Sequence, residues 1–220
     1  MSAHDLVVRN GTIFDGTGSA PFEGDVAVSK GRIVAVGEVP GAGAEEIDAR
    51  GRIVTPGFVD IHTHYDGQAT WDSRLAPSSL HGVTTAVFGN CGIGFAPVRP
   101  EDHDRLISLM EGVEDIPHPV LAEGLKWNWE SFGDFLNAME AVPHDIDFAA
   151  QLPHGALRVY VMGERGAKQE PASDQDIFRM AALAREAMRD GALGLSTSRT
   201  LNHKTADGNN TPSYGAAEKE

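Results

Sequence analysis

Two histidines separated by one residue offer the clearest chemistry in this chain. His62 and His64 end an apolar segment, Gly57–His64, that is typical of a β-strand. Side chains alternate between the faces of a strand, so this spacing directs both imidazoles to one side. Two neutral imidazoles that converge on one point form a good site for zinc or another divalent metal. We interpret both residues as metal ligands; the alternative is two histidines on a half-exposed strand.

The elements that must position these histidines alternate between strands and helices after Pro56–Gly57. Strands are predicted at 58–64, 83–88, 147–152 and 192–196, and helices at 73–81, at 102–111, from Ser131 and from Ser173 to Gly191. This alternation implies parallel strands joined by βα units, with active sites at the C-terminal ends of the strands. Within the first strand, Val59 and Ile61 are expected to face the helices. About four βα units are predicted where a closed barrel has about eight, so 57–220 is interpreted as a truncated barrel.

Residues 1–56 have a different pattern, with short apolar runs around glycine-containing turns. Turns are predicted at Asn10–Gly11, Lys30–Gly31 and Arg50–Gly51. Two apolar runs across such a turn favour a hairpin. We therefore predict a small antiparallel sheet that forms a separate N-terminal side domain.

Composition excludes several classes of partner. The 220 residues carry a formal net charge of -14, which argues against nucleic acid and against an anionic membrane surface. There is no long apolar run and no secretory signal, so no membrane association is expected. A single cysteine, Cys91, rules out an internal disulfide within these residues and favours a cytoplasmic protein. The expected partner is a small-molecule substrate.

Several segments together resemble one enzyme family. Gly57–His64 resembles the first-strand motif of the amidohydrolase superfamily, and the preceding sheet is similar to half of that superfamily's side sheet. Gly82–Gly94, which contains Cys91, is similar to the D-aminoacylase branch, the N-acyl-D-amino-acid deacylases. Further similarity lies at 110–117, 127–132, 153–158 and 194–200. The resemblance covers essentially the whole chain, but less than half of a complete family member.

The resemblance implies a fold, a metal site and a reaction. The fold would be α/β, a (β/α)8 amidohydrolase barrel, about half of it present, with a small N-terminal β-sandwich-like side domain. Cys91 would join His62 and His64 as a metal ligand, since adjacent strands lie about 4.8 Å apart; a buried core cysteine is the alternative. The reaction would be hydrolysis of an N-acyl-D-amino acid by a metal-activated water. A general-base aspartate is expected beyond Glu220, so residues 1–220 alone are expected to be inactive.

Weaker candidates lie after the later strands. His154 would touch substrate or support a ligand, or else be a capped structural histidine. Arg199 would pair with a substrate carboxylate, or else form a surface salt bridge. Trp127 and Trp129 would wall an acyl pocket, or else cover the core. The histidines expected at the surface are His4, His103, His118, His144 and His203.

Two alternative functions remain at this stage. Another amidohydrolase, such as a cyclic amidase of the dihydropyrimidinase or hydantoinase type or a dipeptidase, would carry a bridging lysine at the end of the fourth strand. Leu195–Arg199 contains no lysine. A non-catalytic amidohydrolase-like scaffold would be expected to lose ligands, whereas both histidines and the cysteine are present.

Overall fold

The chain forms two compact units in the computed structural model, which describes residues 3–220. The first unit ends at Gly57 and the second begins at Phe58. Each unit has its own buried apolar cluster. Across the described residues, no helix combines the length and the apolar character needed to cross a bilayer.

The first unit is a five-stranded sheet built around its first strand. The strands are β1 (His4–Ile13), β2 (Phe22–Ser29), β3 (Arg32–Gly37), β4 (Gly43–Asp48) and β5 (Ile53–Val54). They lie in the order β3-β2-β1-β4, and β5 pairs with the end of β1. β2 and β3 are antiparallel to their neighbours, whereas β4 and β5 run parallel to β1. The predicted antiparallel pairing is therefore present for β2 and β3, whereas the sheet as a whole is mixed, which was not predicted.

The predicted turns of this unit have different outcomes. Lys30–Gly31 forms the β2–β3 hairpin with φ of 53° and 71°, as expected for a two-residue turn of the primed type. Asn10–Gly11 is not a turn but lies inside β1, where the register with β2 shifts. Gly11 is needed there because a Cβ atom would come within 2.4 Å of Val54 Cγ2. The glycine signal thus reports a close approach of two strands rather than a chain reversal.

The second unit contains parallel strands in chain order. β6 (Phe58–Asp60), β7 (Val83–Phe88) and β8 (Asp147–Ala150) form one sheet with β7 in the centre. β9 (Leu152–Pro153) follows β8 directly and pairs in parallel with β10 (Leu195–Ser196). The predicted alternation of strands and helices is therefore present in this unit, which makes the protein α/β.

Capping signals predicted the starts of two helices of the second unit. They are α1 (His103–Glu114), α2 (His118–Gly124), α3 (Phe132–Glu140), α4 (His154–Met162), α5 (Glu164–Ala167) and α6 (Asp174–Asp190). α3 and α6 start with the predicted capping boxes, and α6 ends at Gly191 with φ of 117°. The apolar faces of α1 and α3 contribute to the same buried cluster as β7.

The helix predicted at 73–81 is wrong, because only Ser78–His81 forms a single 3-10 turn. Asp72 Oδ1 accepts a hydrogen bond from the Arg74 amide at 2.9 Å. Such local bonds compete with helix formation. Pro77 also restricts the residue before it and lacks an amide donor. These residues therefore form an irregular connection between β6 and β7.

Candidate metal centre

His62, His64 and Cys91 come together at the C-terminal ends of β6 and β7. One ligand atom from each residue lies within 4.8 Å of the ligand atoms of the other two. His62 Nε2 and Cys91 Sγ lie 3.3 Å apart. The imidazole rings are 5.4 Å apart between centroids and tilted by 56°. The structure thus brings together all three residues for which a metal role was predicted.

The route by which the histidines converge differs from the prediction. β6 ends at Asp60, and Asp60 Oδ1 accepts a hydrogen bond from the His62 amide at 3.2 Å. His62 and His64 therefore lie in a turn, not on a strand of strict alternation. Val59 and Ile61, expected to pack against helices, are 59% and 73% exposed within the described chain.

A tight turn with three left-handed residues presents the cysteine. Gly89, Cys91 and Gly92 have φ of 75°, 56° and 72°. A Cβ atom on Gly89 would lie 2.1 Å from the Gln151 carbonyl oxygen, so only glycine fits there. Cys91 also adopts this left-handed conformation, which is strained for a residue with a side chain. The turn is how a thiol placed after β7 reaches the histidines after β6.

The electrostatics of the site favour a neutral imidazole and an unreactive thiol when no cation is bound. Burial lowers the pKa of His64 to about 4, with smaller contributions from His62 and His203. Burial also raises the pKa of the Cys91 thiol, and the charges of Glu114 and Asp66 add to this effect. A bound divalent cation would act in the opposite direction and keep the thiol ionised.

Glu114 is a site residue that the sequence analysis missed. Its Oε1 atom lies 3.2 Å from His64 Nε2. Because the pKa of His64 lies well below 7, this contact is not an ion pair between opposite charges near neutral pH. His64 Nδ1 is buried without a partner among the described residues. The available signal was an acid in the last turn of α1, where a negative charge opposes the helix dipole.

Asp66 and His203 also lie close to the site without having been predicted there. Asp66 is 1% exposed, and burial raises the pKa of its carboxyl to about 8, which leaves it mostly protonated at neutral pH. His203, expected at the surface, is half-buried, and its Nδ1 lies 3.1 Å from Ser198 Oγ. Burial lowers the pKa of His203, as does the neighbouring His62. No local pattern around His203 indicates this location.

The two weaker candidates for substrate binding have different surroundings. His154 begins α4 and is 8% exposed. Its Nδ1 lies 3.0 Å from Thr197 Oγ1, and its Nε2 lies 3.3 Å from Glu220 Oε1. Arg199 is exposed and forms no ion pair with any described residue. The structure does not bring either side chain into the three-residue cluster.

The tryptophans cover the core rather than a pocket. Trp129 is 6% exposed, and its indole N–H donates to the Phe95 carbonyl oxygen at 2.8 Å. Trp127 packs against the same buried cluster and stacks on His103 with ring centroids 3.8 Å apart. His103, also expected at the surface, is thus half-buried by this stacking.

Comparison with known proteins supports the resemblance seen in the sequence. The profile of the Amidohydrolase family matches residues 45–220. A D-aminoacylase from Alcaligenes xylosoxydans xylosoxydans is 37% identical over 194 residues, which are 88% of this chain and 37% of that protein. A solved D-aminoacylase structure with a binuclear metal centre has a TM-score of 0.77 and 32% identity, over 97% of this chain and 40% of that chain. An N-acyl-D-glutamate deacylase from Bordetella bronchiseptica, complexed with zinc and a phosphonate inhibitor, has a TM-score of 0.69 and 28% identity, over 88% of this chain and 38% of that chain.

These matches cover most of this chain but less than half of each relative. This chain spans 37% of the length of the D-aminoacylase and 38% of the N-acyl-D-glutamate deacylase chain. The family profile covers most of the chain and includes His62, His64 and Cys91. The predicted resemblance to the amidohydrolases is confirmed: the chain belongs to the amidohydrolase family, and it is similar to a D-aminoacylase over 88% of its length.

Proposed function

We propose that the protein to which this chain belongs hydrolyses the amide bond of an N-acyl-D-amino acid, with a divalent metal held by His62, His64 and Cys91. The observation that carries this proposal is the convergence of the three donor atoms within 4.8 Å. Two imidazoles and one thiol are the donor types that zinc prefers. The small-molecule substrate follows from the activities named for the D-aminoacylase and the N-acyl-D-glutamate deacylase.

The donor set fits such a metal on further grounds. His64 is neutral, so its lone pair is free for a cation, and Nδ1 has no competing partner among the described residues. Glu114 Oε1 lies 3.2 Å from Nε2 of the same ring. A histidine ligand whose second nitrogen donates to a carboxylate is a common arrangement at metal sites. In this proposal His64 would hold the ion through Nδ1, and Glu114 would lie beside the other nitrogen of the ring.

Each group has a defined task in the proposed reaction. A divalent metal at this position would supply an activated water and a positive charge that polarises the amide carbonyl. His62, His64 and Cys91 would hold the ion, and burial raises the pKa of Asp66 to about 8, so its carboxyl is mostly uncharged at neutral pH. A carboxylate that moves the proton to the leaving amine is proposed to come from an aspartate outside residues 1–220. His154 and Arg199 remain candidates for contact with the substrate.

The same proposal includes the architecture. β6, β7 and β8, followed by the β9–β10 pair, would be the first strands of a (β/α)8 barrel, with the metal ligands at its C-terminal end. Residues 1–56 would form a side domain and residues 57–220 the first part of the barrel. Parallel pairing in chain order supports this assignment. A cytoplasmic location belongs to this proposal as well.

The test is metal content and stereochemistry in the full-length gene product. Zinc per protein is expected to fall in Cys91→Ala and in the double variant His62→Ala, His64→Ala. It should be unchanged in His81→Ala, which removes an exposed histidine elsewhere in the same unit. Chiral analysis of an N-acetyl amino acid library should show cleavage of the D-forms only. Undiminished zinc in the site variants would contradict the metal assignment, and turnover of hydantoins without deacylation would favour a cyclic amidase.

A further inference from the structure

Asn90 lies at the junction of the two segments that carry the predicted metal ligands. It precedes Cys91 directly and is 6% exposed. A buried primary amide is costly unless its donors and its acceptor are all satisfied. Asparagine is not among the usual zinc ligands. The burial of Asn90 beside Cys91 therefore points to another role.

The side chain of Asn90 joins the cysteine turn to the histidine turn. Asn90 Nδ2 donates to the Thr63 carbonyl oxygen at 3.1 Å and to the Val87 carbonyl oxygen at 2.9 Å. Thr63 is the residue between His62 and His64. One amide group therefore fixes the distance from the backbone of the histidine pair to the backbone of the cysteine.

The remaining contacts leave this amide a single orientation. Gln151 Nε2 donates to Asn90 Oδ1 at 2.7 Å, while the two carbonyl contacts require the NH2 group on the opposite side. The Val87 carbonyl oxygen also accepts from the Thr63 amide and from Thr63 Oγ1, each at 2.9 Å. Asn90 thus completes a network in which every hydrogen-bonding atom of its amide has a partner.

A serine holds the far side of the cysteine turn. Ser196 Oγ donates to the Gly89 carbonyl oxygen and accepts from the Gly92 amide, the latter at 2.9 Å. Hydrogen bonds from Asn90 and Ser196 therefore hold the backbone on both sides of Cys91. Cys91 itself has a left-handed conformation, which is unfavourable for most residues with a side chain. Asn90 is the anchor that also contacts the histidine segment.

We propose that Asn90 is a positioning residue that sets the spacing of the Cys91 thiol from the two imidazoles and thereby the affinity for the metal. This inference rests on the proposed metal site. Without Asn90, the Thr63 carbonyl oxygen and Gln151 Nε2 lose their partners, and the histidine turn is no longer tied to the cysteine turn through a side chain. His62, His64 and Cys91 would then have to be brought into position when the metal binds, whereas in the native protein they are already in position.

The experiment measures Co²⁺ binding to the metal-free full-length protein carrying Asn90→Ala. Competition with a chelator gives Kd, and the thiolate-to-cobalt absorption band reports the geometry at Cys91. Kd is expected to rise about 10- to 100-fold, the range found when a residue supporting metal ligands is removed. The absorption band of the saturated variant is expected to shift or weaken. Gln151→Leu, which leaves both carbonyl contacts in place, should give a smaller change in the same direction and serves if Asn90→Ala does not fold.

Two further variants separate a positioning role from general destabilisation and from failure of the metal site. Trp129→Phe removes one buried bond to a carbonyl, at 2.8 Å, that does not involve the ligand segments; it should lower Tm without changing Kd. An Asn90→Ala protein with wild-type Kd and absorption band, or with a change no larger than that of Trp129→Phe, would overturn the inference. A wild-type protein without the absorption band, whose Kd is also unaffected by Cys91→Ala, would instead refute the proposed function.

Discussion

At the scale of single residues, the cluster is made of side chains whose properties depend on their neighbours. Burial, rather than an ion pair, determines the charge state of His64. Its pKa falls to about 4 although the Glu114 carboxylate lies 3.2 Å away. The Glu114 carboxyl responds in the opposite sense, since burial raises its pKa. A site with one neutral imidazole and nearby acidic side chains is suited to a cation, because the charge of the cation would offset the negative charge of the acids.

Substitution of Glu114 is expected to change the acidity of Cys91 in the metal-free protein. Burial is the main cause of the raised pKa of this thiol, and the negative charge of Glu114 is the next. Glu114→Gln removes the charge but keeps a side chain of nearly the same size beside His64. The pKa of Cys91 should fall, so alkylation of the thiol at a fixed, mildly alkaline pH should be faster than in the wild type.

The rate is measured by mass spectrometry of the peptide that contains Cys91, across a range of pH. Glu123→Gln removes an exposed acid on α2 and should leave the rate unchanged. A Glu114→Gln profile that overlays the wild-type profile would show that this carboxylate does not influence the thiol.

At the scale of elements, the helices are stabilised where their sequences provide caps. α6 starts with Ser173 and Asp176, whose side chains bond reciprocally to the backbone amides of each other's residues. Asp176 also accepts a hydrogen bond from Arg165 at 3.0 Å. Bonding to Arg165, and then to Ser173, lowers the pKa of Asp176 from 3.8 to about 2.

Loss of this cap is expected to weaken the fold by a predictable amount. Ser173→Ala should lower the free energy of unfolding by about 1 kcal/mol. The backbone amide of Asp176, the third residue of α6, would lose the Ser173 hydroxyl that accepts its hydrogen bond. Since the pKa of Asp176 is lower in the folded state, its contribution to stability is present above about pH 4. That contribution is lost as the pH falls toward about 2.

Denaturant titrations of the full-length protein at pH 7 and at pH 3 measure both effects. Asp176→Asn should be destabilised relative to the wild type at pH 7, and the difference should narrow at pH 3. Ser79→Ala, in the irregular segment before β7, provides a serine control whose hydroxyl has no partner among the described residues. A difference for Asp176→Asn that widens on acidification would contradict the assignment.

At the scale of the whole molecule, apolar side chains remain uncovered within residues 3–220. Phe58, Val59 and Ile61 are 57%, 59% and 73% exposed at β6 and the turn after it, and Ile33 is 66% exposed on β3. Exposed strand edges and apolar patches promote association between chains. The relatives are also much longer than this stretch.

Residues 1–220 produced alone are therefore expected to associate and to lack deacylase activity. Stability of a folded domain is only about 5–15 kcal/mol, so uncovered apolar surface of this kind is not readily tolerated. Light scattering, binding of a hydrophobic dye and deacylation of N-acetyl-D-amino acids would be compared with the full-length gene product. A monomeric, cooperatively unfolding chain with full-length activity would contradict this expectation.

Much of the fold and part of the site could be predicted because their signals are local. The hairpin at Lys30–Gly31 and the capping box at Ser131 depend on residues a few positions apart. The same is true of the His62 and His64 spacing, and family resemblance added Cys91. Segments in which local signals compete were predicted wrongly, as at 73–81, where Asp72 and Pro77 act against a helix.

The way in which the ligand residues are held depends on contacts between distant segments of the chain. Glu114 contacts His64 across fifty positions of the chain, and Asn90 contacts the Thr63 carbonyl oxygen across twenty-seven. Their positions depend on where β7 and α1 lie against β6, and no pattern of neighbouring residues encodes that distance. Which side chains could bind a metal, and which family the chain resembles, could be inferred from the residues alone. The packing of distant segments determined the protonation of His64, the burial of Asp66 and the turn that brings Cys91 to the histidines, because desolvation and hydrogen bonding act through space.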